Sequence, residues 1–383
     1  MKLFEQKNRT HLEPALHNEN SFDYYDYSAR KDVEAVRNVL NQWFEKYPVE
    51  EKKELKSRFK KSFSSAFYEL FIFSLFKYQG FEIIIHPEIP NSSKRPDFLL
   101  KKENIEFYLE AKEAKNKTFK EEAEEKRKNQ IYDTLNKLES PNFFLRIEEL
   151  ISKTERQPSV RKIIPIIENE LKKICPDKVT EDILNLGYDS SPRIFFDDED
   201  LKLTISLIPK DPKNRNTGGR PIGAYHMGIH WGGAEDSIKN SFSKKAKRYG
   251  KLEKPYIICI NATGSKFSGE YDVDNAVWGK LGISWSTDPN NKDEKLVRQR
   301  DGIFMGEKGP IFQNVSGVFI TNIMEFSIHV SNYWLIKHPF SNNELDFNIF
   351  KLAFQCVENG NIIYNEGETI GEILNINANW LNE

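Results

Sequence analysis

Hydrophobic positions in the first half of the chain fall in blocks whose period changes from helical to alternating. Ser62 to Tyr78 (SFSSAFYELFIFSLFKY) is apolar on nearly every side and stops before Gly80, which predicts a buried helix closed by a glycine. Phe81 to Ile89 and Arg95-Pro96-Asp97-Phe98-Leu99-Leu100 read as strands. Lys101 to Asn104 is a polar turn, and Phe107-Tyr108-Leu109-Glu110-Ala111-Lys112 is a third strand. Thr118 to Leu138 is charged and helical in composition, and Asn142 to Ile147 reads as a strand again. The expected order is helix, three strands, helix, strand. Beyond Ser152 to Pro158, read as a linker, Val160 to Ile174 is helical. From about residue 190 strands dominate, including Arg193 to Phe196, Leu201 to Ile208, Ile222 to Trp231, Tyr256 to Ile260 and Gly317 to Ile320, with a helix over Ala234 to Tyr249 ended by Gly250. These patterns predict an α/β protein in four segments. They are an N-terminal helical arm over 1–48, a mixed-sheet core over 49–152, a helical linker over 153–190 and an α+β module over 191–383. The polar arm carries Tyr24, Tyr25 and Tyr27, which fits a segment that packs late or on a partner.

Side chains on a strand alternate faces at period two, so Glu110 and Lys112 share one face while Leu109 and Ala111 take the other. A hairpin through Lys101 to Asn104 then brings Asp97 beside Glu110. Two carboxylates followed by a lysine on adjacent strands is the minimum equipment for holding Mg²⁺ against a phosphodiester. Upstream, Glu69 is the one carboxylate inside the apolar helix, and an acid there is costly unless it is paired or ligates a cation. It is a candidate third acid, or a structural one. His86 and Glu88 share a strand face two residues apart. Arg95 is placed to reach a phosphate or to pair with an acid.

Glu69 in the first helix, Pro96-Asp97 on the second strand, Glu110-Ala111-Lys112 on the third and Gln130 in the next helix together resemble the PD-(D/E)XK nuclease superfamily, over roughly residues 50 to 150. The resemblance implies a restriction-endonuclease-like core of order α-β-β-β-α-β. It implies that Asp97 and Glu110 are metal ligands, with the Ala111 backbone carbonyl as a further one. Lys112 would orient the attacking water, Glu69 would hold a second metal or an outer-shell water, and Gln130 would support the site. Oxygen ligands of this kind suit Mg²⁺, with Mn²⁺ as a substitute. The expected activity is Mg²⁺-dependent hydrolysis of phosphodiester bonds, by a DNA endonuclease of the kind used in bacterial defence. The alternatives are a catalytically silent nuclease-fold protein for nucleic-acid binding or complex assembly, and an RNA-cleaving effector. A homo-oligomer or an activating protein partner is compatible with either.

The composition narrows the setting. The 383 residues carry a formal net charge of −2, with 38% hydrophobic and 30% charged residues, which fits a folded chain and not one coated for nucleic acid. Binding would depend on a local basic groove. One candidate is Ser243 to Lys251, where Lys244, Lys245, Lys247 and Arg248 could contact phosphates and Tyr249 could stack. Cations favoured by the negative end of a helix explain the same run. The polar stretch Pro209 to Gly219, with Lys210, Lys213, Arg215 and the following Arg220, reads as a loop able to close over a ligand, or as disorder. No run approaches eighteen apolar residues and no signal-peptide core is evident, so a cytoplasmic protein without membrane contact is expected. Cys175, Cys259 and Cys356 show no metal or disulfide spacing. His226 and His230 lack acidic or thiol partners for a metal. Gly264 to Gly269 lacks the Gly-Lys-Ser/Thr that a phosphate loop needs. Trp278, Trp285 and Trp334 read as core.

Overall fold

The computed structural model describes residues 1–90, 92–114, 119–225, 233–264, 266–288, 290 and 293–382. Two units emerge: Met1–Glu13, Asn20–Asn116 and Trp231–Glu383 form one, and Pro14–Glu19 with Lys117–His230 form the other. The first begins with α1 (Ser21–Tyr27), α2 (Lys31–Lys46), α3 (Lys52–Lys61), α4 (Phe63–Tyr78), β1 (Glu82–Ile85), β2 (Phe98–Lys102) and β3 (Ile105–Glu113). The second contributes α5 (Phe119–Leu135), β4 (Phe143–Ser152), α6 (Ile163–Lys173), α7 (Pro176–Leu186), β5 (Arg193–Asp197), β6 (Leu201–Pro209) and β7 (Ile222–Ala224). The first unit resumes with α8 (Ala234–Ala246), β8 (Tyr256–Asn261) and α9 (Glu270–Trp278). Two short ribbons follow, β9 (Leu281–Ser284) with β10 (Lys295–Arg298) and β11 (Met305–Gly306) with β12 (Gly309–Pro310). Then come β13 (Gly317–Thr321), β14 (Tyr333–Lys337), β15 (Phe354–Glu358), β16 (Asn361–Asn365) and α10 (Ile370–Leu374).

In the first unit, eight strands make one mixed sheet in the order β1-β2-β3-β8-β13-β14-β15-β16. The β1-β2-β3 meander is antiparallel, whereas β8 runs parallel to both β3 and β13. The meander follows from a tight turn at Glu103-Asn104, where Glu103 takes a positive φ of 54°. All six residues of β8 are buried, as expected for a strand covered on both faces. One face packs on α4: the Phe76 ring meets those of Phe107 and Phe319, and Phe73 meets Phe98. The uninterrupted apolar composition of α4 thus has a packing cause, since twelve of its residues are buried. On the other face Leu99, Tyr108, Ile258, Ile260, Val318, Ile320 and Ile336 pack with Phe242 and Ala246 of α8 and Val273 and Val277 of α9.

The second unit is built on a four-stranded sheet, β5-β6-β4-β7. Its core joins Ile131 and Leu135 of α5 to Leu145, Ile147, Leu203 and Ile205 of the sheet and to Ile163, Ile167 and Val179 of α6 and α7.

These divisions differ from the expected ones. Residues 1–48 carry the helices α1 and α2, and Phe4, Phe22, Tyr25, Val36, Leu40 and Phe44 are buried within the chain. The segment 153–190 supplies buried side chains to the second unit's core instead of linking domains. The 49–152 and 191–383 segments are both divided, because α5 and β4 leave the large sheet while α8, β8 and everything beyond return to it. The first strand stops at Ile85, and His86 turns away with a φ of 46°, so Glu88 lies outside it. In the Pro209 to Gly219 stretch Lys210 is buried with its ammonium over the Phe144 ring. Arg215 pairs with Asp177 at 2.7 Å, and Arg220 donates to the Pro14 and Ala15 carbonyls. Local partners fix these cations within the second unit. Trp285 is exposed, not core. His226 and His230 lie outside the described residues.

Candidate active site

The β2-β3 register pairs Phe98 with Leu109, so one further step sets Asp97 beside Glu110. Alternation sends both side chains to the face covered by α8, along with Leu99 and Tyr108. Asp97 Oδ2 accepts a hydrogen bond from the Ala111 backbone N–H at 2.8 Å. What Ala111 gives this carboxylate is therefore its amide. Burial, followed by the Glu110 and Glu69 carboxylates, pushes the Asp97 carboxyl up to about 7, although Lys245 pulls the other way.

Glu110 is 1% exposed. Its Oε1 takes a hydrogen-bonded ion pair from the Lys245 ammonium, and Arg248 Nη1 lies 3.6 Å from the same oxygen. Its Oε2 lies within hydrogen-bonding reach of the Tyr249 hydroxyl, which is also 2.9 Å from the Arg95 carbonyl. That phenol has one proton, so it donates to one of the two at a time. Burial and then Glu110 raise its pKa. Tyr249 is buried against the acid and does not present its ring for stacking.

Helix α8 therefore completes the site, where α5 was expected. The chain leaves the large sheet after β3 and returns with α8, whose C-terminal turn lies over Glu110 because β8 pairs beside β3 with Glu110 opposite Ile258. Gln130 is exposed on α5, in the second unit. Lys112 stands two residues beyond Glu110 on the same face, with its Cα opposite Ile260, and is exposed.

Glu69 has another environment. Arg58 grips it with two hydrogen bonds, Nη1 to Oε2 at 2.5 Å and Nη2 to Oε1 at 2.6 Å, and the Tyr47 hydroxyl donates to Oε1 at 2.9 Å. The acid inside the apolar helix is thus paired within the N-terminal helical layer, and its field acts on Asp97. Of the other cations, Arg95 pairs with Glu88 at 2.5 Å, Lys247 sits over the Phe312 ring, and Lys244 is exposed.

Among the described residues no group of three or more His, Cys, Asp or Glu side chains converges as a metal site. The convergent oxygen donors are the two carboxylates of Asp97 and Glu110. Burial first, and then the neighbouring Glu110 carboxylate, make a charge on Asp97 costly, a penalty that a divalent cation would relieve, so this donor pair fits a hard ion. The same carboxylate of Glu110 is satisfied in its absence by Lys245, which a cation would have to displace. Among the described residues, no helix is long and apolar enough to cross a membrane. Comparisons with known proteins found no matching family model, no matching curated protein and no matching solved structure.

Proposed function

We propose that this protein is a Mg²⁺-dependent phosphodiesterase acting on nucleic acid, DNA in the first instance, with Asp97, Glu110 and Lys112 at its centre. The observation that carries the proposal is the Asp97–Glu110 pair on antiparallel β2 and β3, with Lys112 next on the same face. This pair sits in a helix, three antiparallel strands, a helix and a parallel strand (α4, β1, β2, β3, α8, β8). That order supports a restriction-endonuclease-like core with a second unit inserted between its third strand and its second helix.

In this reading Asp97 and Glu110 would hold the cation, and the Ala111 N–H fixes the orientation of Asp97. The chemistry a divalent ion would supply there is a lowered pKa for water and an offset to charge on the reacting phosphate. Lys112, exposed beside the pair, holds the attacking water or a phosphate oxygen by hydrogen bonding and charge. Lys245, which pairs with Glu110, would have to give up that carboxylate to a cation and could then neutralise phosphate. Glu69 positions the helical layer through Arg58 and tunes Asp97 without ligating.

The ion pairs Lys245–Glu110 and Arg58–Glu69 favour a second reading, a nuclease fold whose acids are held by lysine and arginine and which binds without cutting. Incubation of supercoiled plasmid, linear duplex, single-stranded DNA and RNA with Mg²⁺ or Mn²⁺ separates the two. The proposed activity predicts metal-dependent cutting of at least one substrate, lost in the Asp97→Ala/Lys112→Ala protein. Absence of cutting on all four with either ion contradicts it.

A further inference from the structure

A cavity of about 470 Å³ opens on the first unit's sheet, on the face that carries Asp97 and Glu110, between β14-β15-β16 and the start of α9. Its floor holds Trp334, Gln355 and Tyr364. The register places Gln355 beside Ile336 and opposite Tyr364, so all three share a face. Trp334 is half-buried and braced edge-on by Phe267 at 5.9 Å, while Tyr364 is 62% exposed at the mouth. Gln355 is 5% exposed, and its Oε1 is sealed from solvent without a hydrogen-bond partner among the described residues. A buried amide oxygen left in this state is an exception in folded proteins and calls for a donor. The terminal amide torsion is soft, so a small swing presents one acceptor and one donor side by side to the cavity. The charges at the mouth are two acids against one cation, Arg298, which leaves a net negative rim. Glu270 lines it, and Asp274, paired with Arg298 at 3.1 Å, lies close enough, with Glu270, to act on the Tyr364 phenol. Such a rim disfavours a phosphate inside and favours a neutral, flat, apolar-faced ligand.

We infer that this cavity binds a nucleobase that carries an exocyclic amino group beside a ring-nitrogen acceptor. The amino group donates to Gln355 Oε1, the ring nitrogen accepts from Gln355 Nε2, and Tyr364 stacks on the base. A glutamine amide pairs with adenine N6 and N7 in this bidentate way, and cytosine N4 and N3 present the same donor–acceptor pair. From β3 to β15 is four strand steps, so the cavity lies about 19 Å across the sheet from Glu110. The inference does not depend on the phosphodiesterase reading, because it concerns base recognition at a separate place.

Adenosine, inosine, cytidine and uridine are titrated into the native protein in EDTA, with calorimetry and tryptophan fluorescence as readouts. At least one amino base should bind about tenfold tighter than its keto counterpart, adenosine over inosine or cytidine over uridine, and the pair that discriminates identifies the base. Gln355→Leu should erase that preference. Tyr364→Ala, at an exposed position that leaves folding intact, should weaken binding of the preferred nucleoside at least about fivefold. Equal binding of amino and keto nucleosides, or an unchanged preference in Gln355→Leu, overturns the inference. The Asp97→Ala/Lys112→Ala protein should bind the nucleoside like the native chain, so failure of cleavage and failure of base binding are read separately.

Discussion

Replacing Asp97 by Asn should stabilise the metal-free protein, and by an amount that depends on pH. Burial and the neighbouring carboxylates raise the folded-state pKa of Asp97 from its ordinary 3.8 to about 7. The folded protein therefore binds this proton more tightly than the unfolded chain does. The contribution is fully present below about pH 4, is lost progressively between pH 4 and 7, and stays lost above that. Fully expressed, a shift of this size is worth ~4 kcal/mol at 1.36 kcal/mol per pH unit. Because the Asp97 residue is only half-buried, solvent screening reduces this, and about 2 kcal/mol is the expected gain. Asn carries no charge at any pH and keeps an oxygen to accept from the Ala111 N–H, so the substitution isolates the electrostatic penalty. At roughly 2–4 °C per kcal/mol, Asp97→Asn should melt about 4–8 °C above the native protein at pH 8 in EDTA. The advantage should shrink towards zero at pH 4. Equal melting at pH 8, or an advantage that does not change with pH, would refute the argument.

Glu110→Ala should behave in the opposite way, losing about 2–3 kcal/mol in thermal or denaturant unfolding, because it strands the largely buried Lys245 ammonium, while the Tyr249 hydroxyl keeps the Arg95 carbonyl as acceptor. Glu69→Gln should cost ~2 kcal/mol by weakening a charged, two-point pair with Arg58, with cleavage reduced only as far as folding is; a large loss of cleavage at full stability would return Glu69 to the site. Lys112→Ala, at an exposed position, should change stability by less than about 0.5 kcal/mol while lowering the cleavage rate at least ~100-fold, measured under single-turnover conditions.

The local part of the site was legible in the sequence. Period-two alternation puts Glu110 and Lys112 on one face, and a polar turn at Lys101 to Asn104 folds Asp97 back towards Glu110. The composition of α4 announced a buried helix. What the sequence order concealed was which later strand lies beside β3. Asn142 to Ile147 was expected as the core's last strand, yet Phe144 and Arg146 are exposed, the alternation of a strand with one wet face. Tyr256 to Ile260, Tyr-Ile-Ile-Cys-Ile, is apolar at every position, the signature of a strand covered on both sides, and that contrast was available to find the true neighbour. With β8 come α8 and the cations at its end. Lys245 and Arg248 were read as phosphate contacts, but a basic run cannot say that its nearest anion is Glu110, more than a hundred residues earlier in the chain. Glu69 was flagged because a buried acid needs a partner. The partner, Arg58, sits on α3, one helix upstream, where side-chain direction and not spacing decides the pairing.

The claim that Asp97 and Glu110 form a divalent-cation site is tested most directly by calorimetric titration of Mn²⁺ into the native protein, Asp97→Asn and Glu110→Gln at pH 8, where Asp97 is ionised. The account predicts saturable binding to the native chain, weakened at least about tenfold by either substitution. No binding to the native protein, or equal binding to all three, would contradict it.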